Sequence, residues 1–377
     1  MAIAKSFEQE LANMDWDHQR MQLFGVNASS VEAAIAKAQR GQRLALHDFQ
    51  ALISPAAADY LETMAQLSQQ ITQQRFGKTQ QLYIPLYLSN LCSNICSYCG
   101  FSMENKIRRK TLDMSELEDE LLAIKDWGFE HILLVTGESE RRVGMDYFRQ
   151  VLPKVKQHFS HLSMEVQPLE KKEYQELQSL GLDAVLVYQE TYHRAHYAQV
   201  HVKGKKSDFN YRLDTAERLG EVGMKKIGLG VLLGLSDWRV DSYYLAMHLQ
   251  YLQKRYWRSK FSISFPRLRP CETGFQPRSL IDERQLLQLI CAYRLFQPDV
   301  DISLSTRESA HFRDNVIALG VTTMSAFSST QPGGYAQNSQ QSLEQFSIDD
   351  NRTPNQVVAA IQKAGYQAVW KDWDSHL

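Results

Sequence analysis

Two textures of apolar and polar positions follow one another along the chain. Up to about residue 78 the apolar residues recur at helical spacing. Ser29 and Glu32 form a capping box, Gly41 ends the helix that follows, and Ser54-Pro55 opens another with an N-cap and a proline at the first helical position. From Gln81, short β-branched and apolar runs alternate with segments of helical period. This pattern predicts strands at Leu82–Leu88, Ile132–Thr136, Ser163–Gln167, Ala184–Glu190, Lys226–Leu233, Phe261–Phe265, Ile302–Arg307 and Thr322–Phe327. Helices are predicted between them. Ser115–Trp127 carries Leu117, Leu121 and Ile124 on one face, and Glu283–Phe296 carries Leu286, Leu289, Ile290 and Tyr293.

Strict alternation of strands and helices over roughly 250 residues has the length of an α/β fold of the (β/α)8, TIM-barrel type. Periodicity also permits an open, doubly wound sheet. The expected organisation is a helical extension over residues 1–78, a barrel over 79–330 and a C-terminal extension over 331–377. That last stretch holds a Pro-Gly-Gly turn, a Ser/Gln-rich loop and a helix near Thr353–Ala364.

Composition narrows the partners. The chain has 377 residues, 44% of them apolar, enough for a sizeable core. Lys and Arg number 42 against 43 acidic residues, so bulk charge recruits neither nucleic acid nor an anionic membrane. The basic runs "KIRRK" and "HVKGKK" read as solvated loops. No basic-then-apolar leader opens the chain, and no run of about eighteen apolar residues occurs in it, so a cytoplasmic protein is expected. Closely spaced cysteines remain reduced in that compartment.

Three of the five cysteines, Cys92, Cys96 and Cys99, stand at C-x3-C-x2-C spacing just after the first predicted strand. A βα loop there opens on the C-terminal mouth of a barrel, the face that carries chemistry in such folds. Gly100 permits a tight turn beside them. Thiolates suit zinc or iron–sulfur clusters, but a closed zinc site needs a fourth protein ligand, and no second pair follows. A cluster held by three cysteines leaves one iron open to an outside ligand. Cys271 and Cys291 read as buried or incidental thiols, and the spacing of His193, His196 and His201 matches no standard ligand set.

Polar residues gather at the other strand ends. Thr136-Gly137-Glu138 closes the second strand, Glu165 and Gln167 the third, and Tyr188-Gln189-Glu190-Thr191-Tyr192 the fourth. Side chains in such places orient amines, riboses or phenols. The glycine run from Gly228 to Gly234 lies within a strand, which excludes a dinucleotide fingerprint. In "DISLSTRE", alternation puts Ser303, Ser305 and Arg307 on one face. An inward arginine requires an anion, either a substrate carboxylate or an internal one such as Glu165 or Glu190. Ser325, Ser328 and "TQPGGY" complete the set.

The cysteine motif, with Tyr98 before its last member, resembles the signature of radical S-adenosylmethionine enzymes. With "VTGES", "VYQETY", "YRLDT" and "LSTRE" through "TTMSAFSSTQPGGY", the chain is similar over nearly its whole length to the aromatic-amino-acid lyases of that superfamily, above all the tyrosine lyases of thiamine biosynthesis. The resemblance implies a [4Fe–4S] cluster on Cys92, Cys96 and Cys99, its open iron chelated by S-adenosyl-L-methionine. Gly137 and Glu138 resemble an element that meets the co-substrate's amino group, although Thr136 replaces its first glycine. Arg212 is implied at the co-substrate's carboxylate, with Tyr98, Gln189 and Gly230 as further contacts. Glu165, Ser303, Ser305 and Arg307 are implied at the substrate. The reaction implied is Cα–Cβ scission of L-tyrosine to 2-iminoacetate and p-cresol, with methionine and 5′-deoxyadenosine formed. Implied partners are a thiazole synthase and a flavodoxin-type electron donor. A related tyrosine lyase of hydrogenase maturation holds a second cluster on C-terminal cysteines, whereas here no cysteine follows Cys291. The alternatives are a related radical lyase of tyrosine or tryptophan in another cofactor pathway and, from a different class, a non-catalytic iron–sulfur or zinc scaffold.

Overall fold

The computed structural model describes residues 6–269, 274–336 and 344–370. Eight strands form a closed parallel barrel: β1 (Thr79–Ser89), β2 (His131–Thr136), β3 (His161–Glu165), β4 (Ala184–Leu186), β5 (Lys226–Gly230), β6 (Lys260–Ser264), β7 (Asp301–Leu304) and β8 (Thr323–Ser325). They pair in chain order, and β8 returns to β1 with Gln81, Leu82 and Tyr83 beside Thr323, Met324 and Ser325. That last pairing decides against the open sheet. Every residue of β2 is buried, as expected of a parallel strand covered on both faces. A ninth strand, β9 (Gln367–Val369), adds in parallel to the start of β1.

The crossover helices follow their apolar stripes. Asp113 and Glu116 form a reciprocal cap for the helix Met114–Asp126, which buries Leu117, Leu121 and Ile124. Asp282 caps Glu283–Phe296, where Leu286, Leu289, Ile290 and Tyr293 are buried. The N-terminal helices Leu46–Ile53 and Leu61–Phe76 pack on that same helix, and Gln288 Nε2 ties it to the carbonyls of Leu52 and Ser54 at 2.8 and 2.9 Å. Among the described residues no helix is long and apolar enough to cross a membrane.

Several expected boundaries move. The cap of the helix Ala28–Gln39 is Asn27, which accepts from Ser30 N, so the Ser29/Glu32 box does not form. Ser54-Pro55 opens a 3-10 turn, Pro55–Tyr60, before the long helix begins. The predicted strands also overran their ends. β3 stops at Glu165, β4 at Leu186, β5 at Gly230, β7 at Leu304 and β8 at Ser325. Past these points the backbone turns into the barrel mouth, and Glu190 and Phe327 take left-handed conformations (φ 72° and 52°) that no strand accommodates. Cys271 and part of the Ser/Gln-rich loop lie outside the described residues.

Candidate active site

The carboxyl ends of the strands enclose a cavity of about 1250 Å³, its opening included, and Cys92, Cys96 and Cys99 all face it. The loop that carries them is stiffened from below. Arg109 donates through Nη1 to the carbonyls of Asn90 and Phe101 (both 2.8 Å) and through Nη2 to those of Ser102 (2.6 Å) and Asn105 (3.2 Å). Asn105 Nδ2 in turn donates to the carbonyls of Cys99 and Gly100. On the other side, Ile95–Cys96 pairs antiparallel with His201–Lys203, and Tyr98 Oη meets His201 Nε2 at 2.8 Å. A Cβ on Gly100 would lie 2.5 Å from the Gln345 carbonyl oxygen, to which the Gly100 N–H donates at 3.1 Å. Close approach of the C-terminal segment, and not a tight turn, is therefore what requires glycine there.

Burial raises the pKa of all three thiols, and that of Cys99 is pushed up to about 11, with the charge of Cys92 as the next cause. Three thiolates facing one cavity need compensating positive charge, which a metal group bound to them would supply. Among the described residues no three Cys, His, Asp or Glu side chains converge on a site for one ion. Three sulfur donors spread around one cavity suit a multi-iron cluster better than a single zinc ion.

Two close ion pairs lie beside the thiols, linked by a longer contact of 3.6 Å between Arg212 Nη2 and Glu190 Oε1. Glu138 accepts from Arg212 Nη1 at 2.9 Å and from Asn94 Nδ2 at 2.8 Å, while Arg212 Nε donates to the Tyr188 carbonyl at 2.7 Å. Burial alone would raise the Glu138 pKa, but Arg212 first and Lys206 next outweigh it and hold it below its usual value. A Cβ on Gly137 would collide with the Leu91 carbonyl, so glycine lets β2 end directly beneath the cysteine loop. The second pair joins Lys206 Nζ to Glu190 Oε1 at 2.7 Å, with the two side chains only 13% and 12% exposed. Asp241 Oδ1 fixes the turn after Glu190 by accepting from Thr191 Oγ1 (3.0 Å) and Tyr192 N (2.8 Å).

The predicted residues do not all meet here. Tyr98, Gly137, Glu138, Glu165, Arg212, Ser305 and Arg307 line the cavity. Ser303, still paired within β7, sits one layer lower, 3.3 Å from the Tyr83 hydroxyl, and the alternation counted through Arg307 breaks beyond Leu304. Gln189 turns outward into a separate pocket with Val187, Leu213 and His248, its amide nitrogen 3.5 Å from the Phe209 carbonyl. At Gly230 a Cβ would lie 2.5 Å from the Ser264 carbonyl and 2.6 Å from the Tyr188 ring. That glycine makes room for Tyr188 and does not face the open cavity. Arg307 forms no ion pair with a described carboxylate, so neither Glu165 nor Glu190 neutralises it directly. Its guanidinium carbon stands 3.3 Å from the centroid of Phe346. His193 and His196 stack at 3.8 Å, and Cys291 is buried in the helical layer.

Other residues escaped the sequence reading. Both basic runs contribute inward, Arg109 from "KIRRK" and Lys206 from "HVKGKK", although nothing local distinguishes them from their exposed neighbours. Tyr83 and Tyr87 share the inward face of β1, which alternation along "LYIPLYL" could have identified. Gln345 and Phe346 come from the C-terminal extension. Gln345 accepts from the Tyr87 hydroxyl at 2.8 Å and donates toward Cys99 Sγ at 3.7 Å.

A closed parallel barrel with three thiols in the loop after β1 has the architecture of a radical S-adenosylmethionine enzyme. Residues 86–245 match the Radical SAM superfamily, and residues 264–367 match the Biotin and Thiamin Synthesis associated domain. The chain is 57% identical to the 2-iminoacetate synthase of Escherichia coli over 374 residues, covering 99% of this chain and 98% of the relative, and 56% identical to that of Salmonella typhimurium over the same coverage. The chain belongs to the 2-iminoacetate synthase family. Among solved structures, the FeFe-hydrogenase maturase HydG of Carboxydothermus hydrogenoformans is 30% identical, with a TM-score of 0.90 over 98% of this chain and 86% of that one. Methylornithine synthase (PylB), at 20% identity and a TM-score of 0.73 over 91% of this chain and 100% of that one, shares the fold.

Proposed function

We propose that the chain is a radical lyase that splits the Cα–Cβ bond of L-tyrosine into 2-iminoacetate and p-cresol, for assembly of the thiamine thiazole. Cys92, Cys96 and Cys99 would hold a [4Fe–4S] cluster, which would supply one-electron reduction of S-adenosylmethionine and so the radical chemistry that starts from it. Glu138 and Arg212, side by side at 2.9 Å, offer a carboxylate and a guanidinium that match the ammonium and carboxylate of one methionine moiety. Tyr98 acts behind the cluster, bracing its loop through His201.

Arg307, with the Ser305 hydroxyl nearby, holds the substrate carboxylate in a bidentate pair. The observation that carries the reading is this enclosed guanidinium without a described carboxylate partner, facing the same cavity as the three thiols, in a chain of this family. Fixing the carboxylate fixes the amino group, and hydrogen transfer demands that near-contact geometry. The C-terminal residues Gln345 and Phe346 help close the cavity, which protects an imine product from water. A flavodoxin-type protein supplies the electrons and a thiazole synthase takes the imine. Both fit a cytoplasmic setting in which free thiols stay reduced.

The test is anaerobic reconstitution with iron and sulfide, followed by tyrosine, S-adenosylmethionine and reductant. Mass analysis should find p-cresol, 5′-deoxyadenosine and glyoxylate, the hydrolysis product of 2-iminoacetate. Consumption of S-adenosylmethionine without p-cresol would refute the tyrosine assignment, and no consumption at all would favour a scaffold.

A further inference from the structure

The cavity holds three carboxylates and three strong cations, and four of the six are paired. Glu138 is bound to Arg212 and Glu190 to Lys206. The remaining two, Glu165 at the end of β3 and Arg307 beyond β7, both line the cavity, and neither the Glu165 carboxylate nor the Arg307 guanidinium forms an ion pair or a hydrogen bond with a described residue. One spare anion and one spare cation, held apart on opposite strands, form a receptor for a zwitterion. With Arg307 on the carboxylate of an α-amino acid, Glu165 is left for its ammonium.

Removing a hydrogen atom from an ammonium would leave positive charge on an electron-deficient nitrogen, whereas removing one from a neutral amine does not. Resting on the tyrosine-lyase reading above, we propose that Glu165 is a catalytic base that takes one proton from the substrate's ammonium group, delivering the neutral amine for hydrogen abstraction. In that step an N–H bond breaks heterolytically, its electron pair stays on nitrogen as the lone pair, and an O–H bond forms on a Glu165 carboxylate oxygen. No further reactant is needed.

The surroundings suit the role. Tyr83 and Tyr87 from β1, Tyr188 and Glu190 from the segment after β4, and Arg307, Lys206 and Arg212 line the same cavity as Glu165. Burial first and the charge of Glu190 second raise the Glu165 pKa to about 7, and Arg307 is the largest opposing influence. A substrate carboxylate on Arg307 would mask that cation and make Glu165 more basic when substrate is bound.

The experiment is Glu165→Gln in the reconstituted enzyme. The variant keeps the side chain's shape and removes a charge without a described ion-pair partner, so it should fold and should bind S-adenosylmethionine with the wild-type change in the cluster spectrum. For wild type, kcat/KM should rise with pH through an ionisation near 7, where Glu165 becomes a carboxylate. For the variant it should fall on the order of 10²-fold at pH 7, lack that ionisation, and climb tenfold per pH unit toward the amine's own pKa. Calorimetric tyrosine affinity should stay within about tenfold of wild type at pH 9. A variant as active as wild type at pH 7, or one whose loss is independent of pH and matched by lost tyrosine binding, would overturn the inference. Wild-type protein that forms no p-cresol from tyrosine would instead overturn the lyase reading beneath it.

Discussion

Replacing Arg307 by alanine separates a substrate anchor from a structural cation. The guanidinium is enclosed, rests on Phe346 and has no described carboxylate in contact. In the anchor reading, a substrate carboxylate completes two charge-assisted hydrogen bonds worth about 1.5–3 kcal/mol each. Losing both should weaken tyrosine binding by about 3–6 kcal/mol, or on the order of 10²–10⁴-fold. The fold should not suffer, because no carboxylate is stranded, and the melting temperature should hold or rise. A cation buried in an internal salt bridge would behave in the opposite way, since breaking such a pair costs about 3–5 kcal/mol of stability. The assay pairs tyrosine titration of the anaerobic enzyme with thermal melting, and follows p-cresol against uncoupled 5′-deoxyadenosine. Near-normal tyrosine affinity, or a melting point lowered by several kcal/mol equivalent, would refute the assignment.

Other changes probe the supporting structure. Lys206→Met leaves Glu190, 12% exposed, with only the longer 3.6 Å contact to Arg212 Nη2, and should destabilise the fold by at most about 3 kcal/mol in chemical denaturation. Gly100→Ala places a Cβ 2.5 Å from the Gln345 carbonyl, so limited proteolysis should cut the C-terminal segment faster and iron retention should fall. Asp241 is buried with its pKa raised to about 8. Its unfolded counterpart loses its proton near pH 4 while the folded form keeps it, so stability falls as pH rises from about 4 to 8. Asp241→Asn keeps the Oδ1 acceptor for Thr191 and Tyr192, and should raise stability on the order of 2 kcal/mol at pH 8 with little change at pH 4, as pH-dependent melting would show.

The barrel was legible because its elements announce themselves locally. Leu117, Leu121 and Ile124 share a helical face whatever surrounds them, and β2 is apolar throughout because a parallel strand is covered on both sides. The cysteine loop was legible for the same reason, with three sulfur donors within reach of one short turn. Arg307 was found by an alternation that does not survive in the backbone. The strand stops at Leu304, and the arginine enters the cavity from the loop beyond it. Ser303, counted the same way, stays in the β7 ladder one layer below the cavity, and Gln189, implied by the resemblance, turns into a separate pocket.

Residue identity and spacing alone determined the strand and helix order and the thiol trio, and left the anion for Arg307 open between substrate and an internal carboxylate. Closure of the barrel decided the rest. Glu138 and Arg212 are 74 positions apart and meet at the mouth of the assembled barrel, while Gln345, 246 from Cys99, arrives because the C-terminal segment crosses that mouth. Periodicity reports which side chains leave water. Which charge each buried charge then faces is a property of the assembled low-dielectric interior, where Lys206 and Arg109 are anchors and not solvated surface.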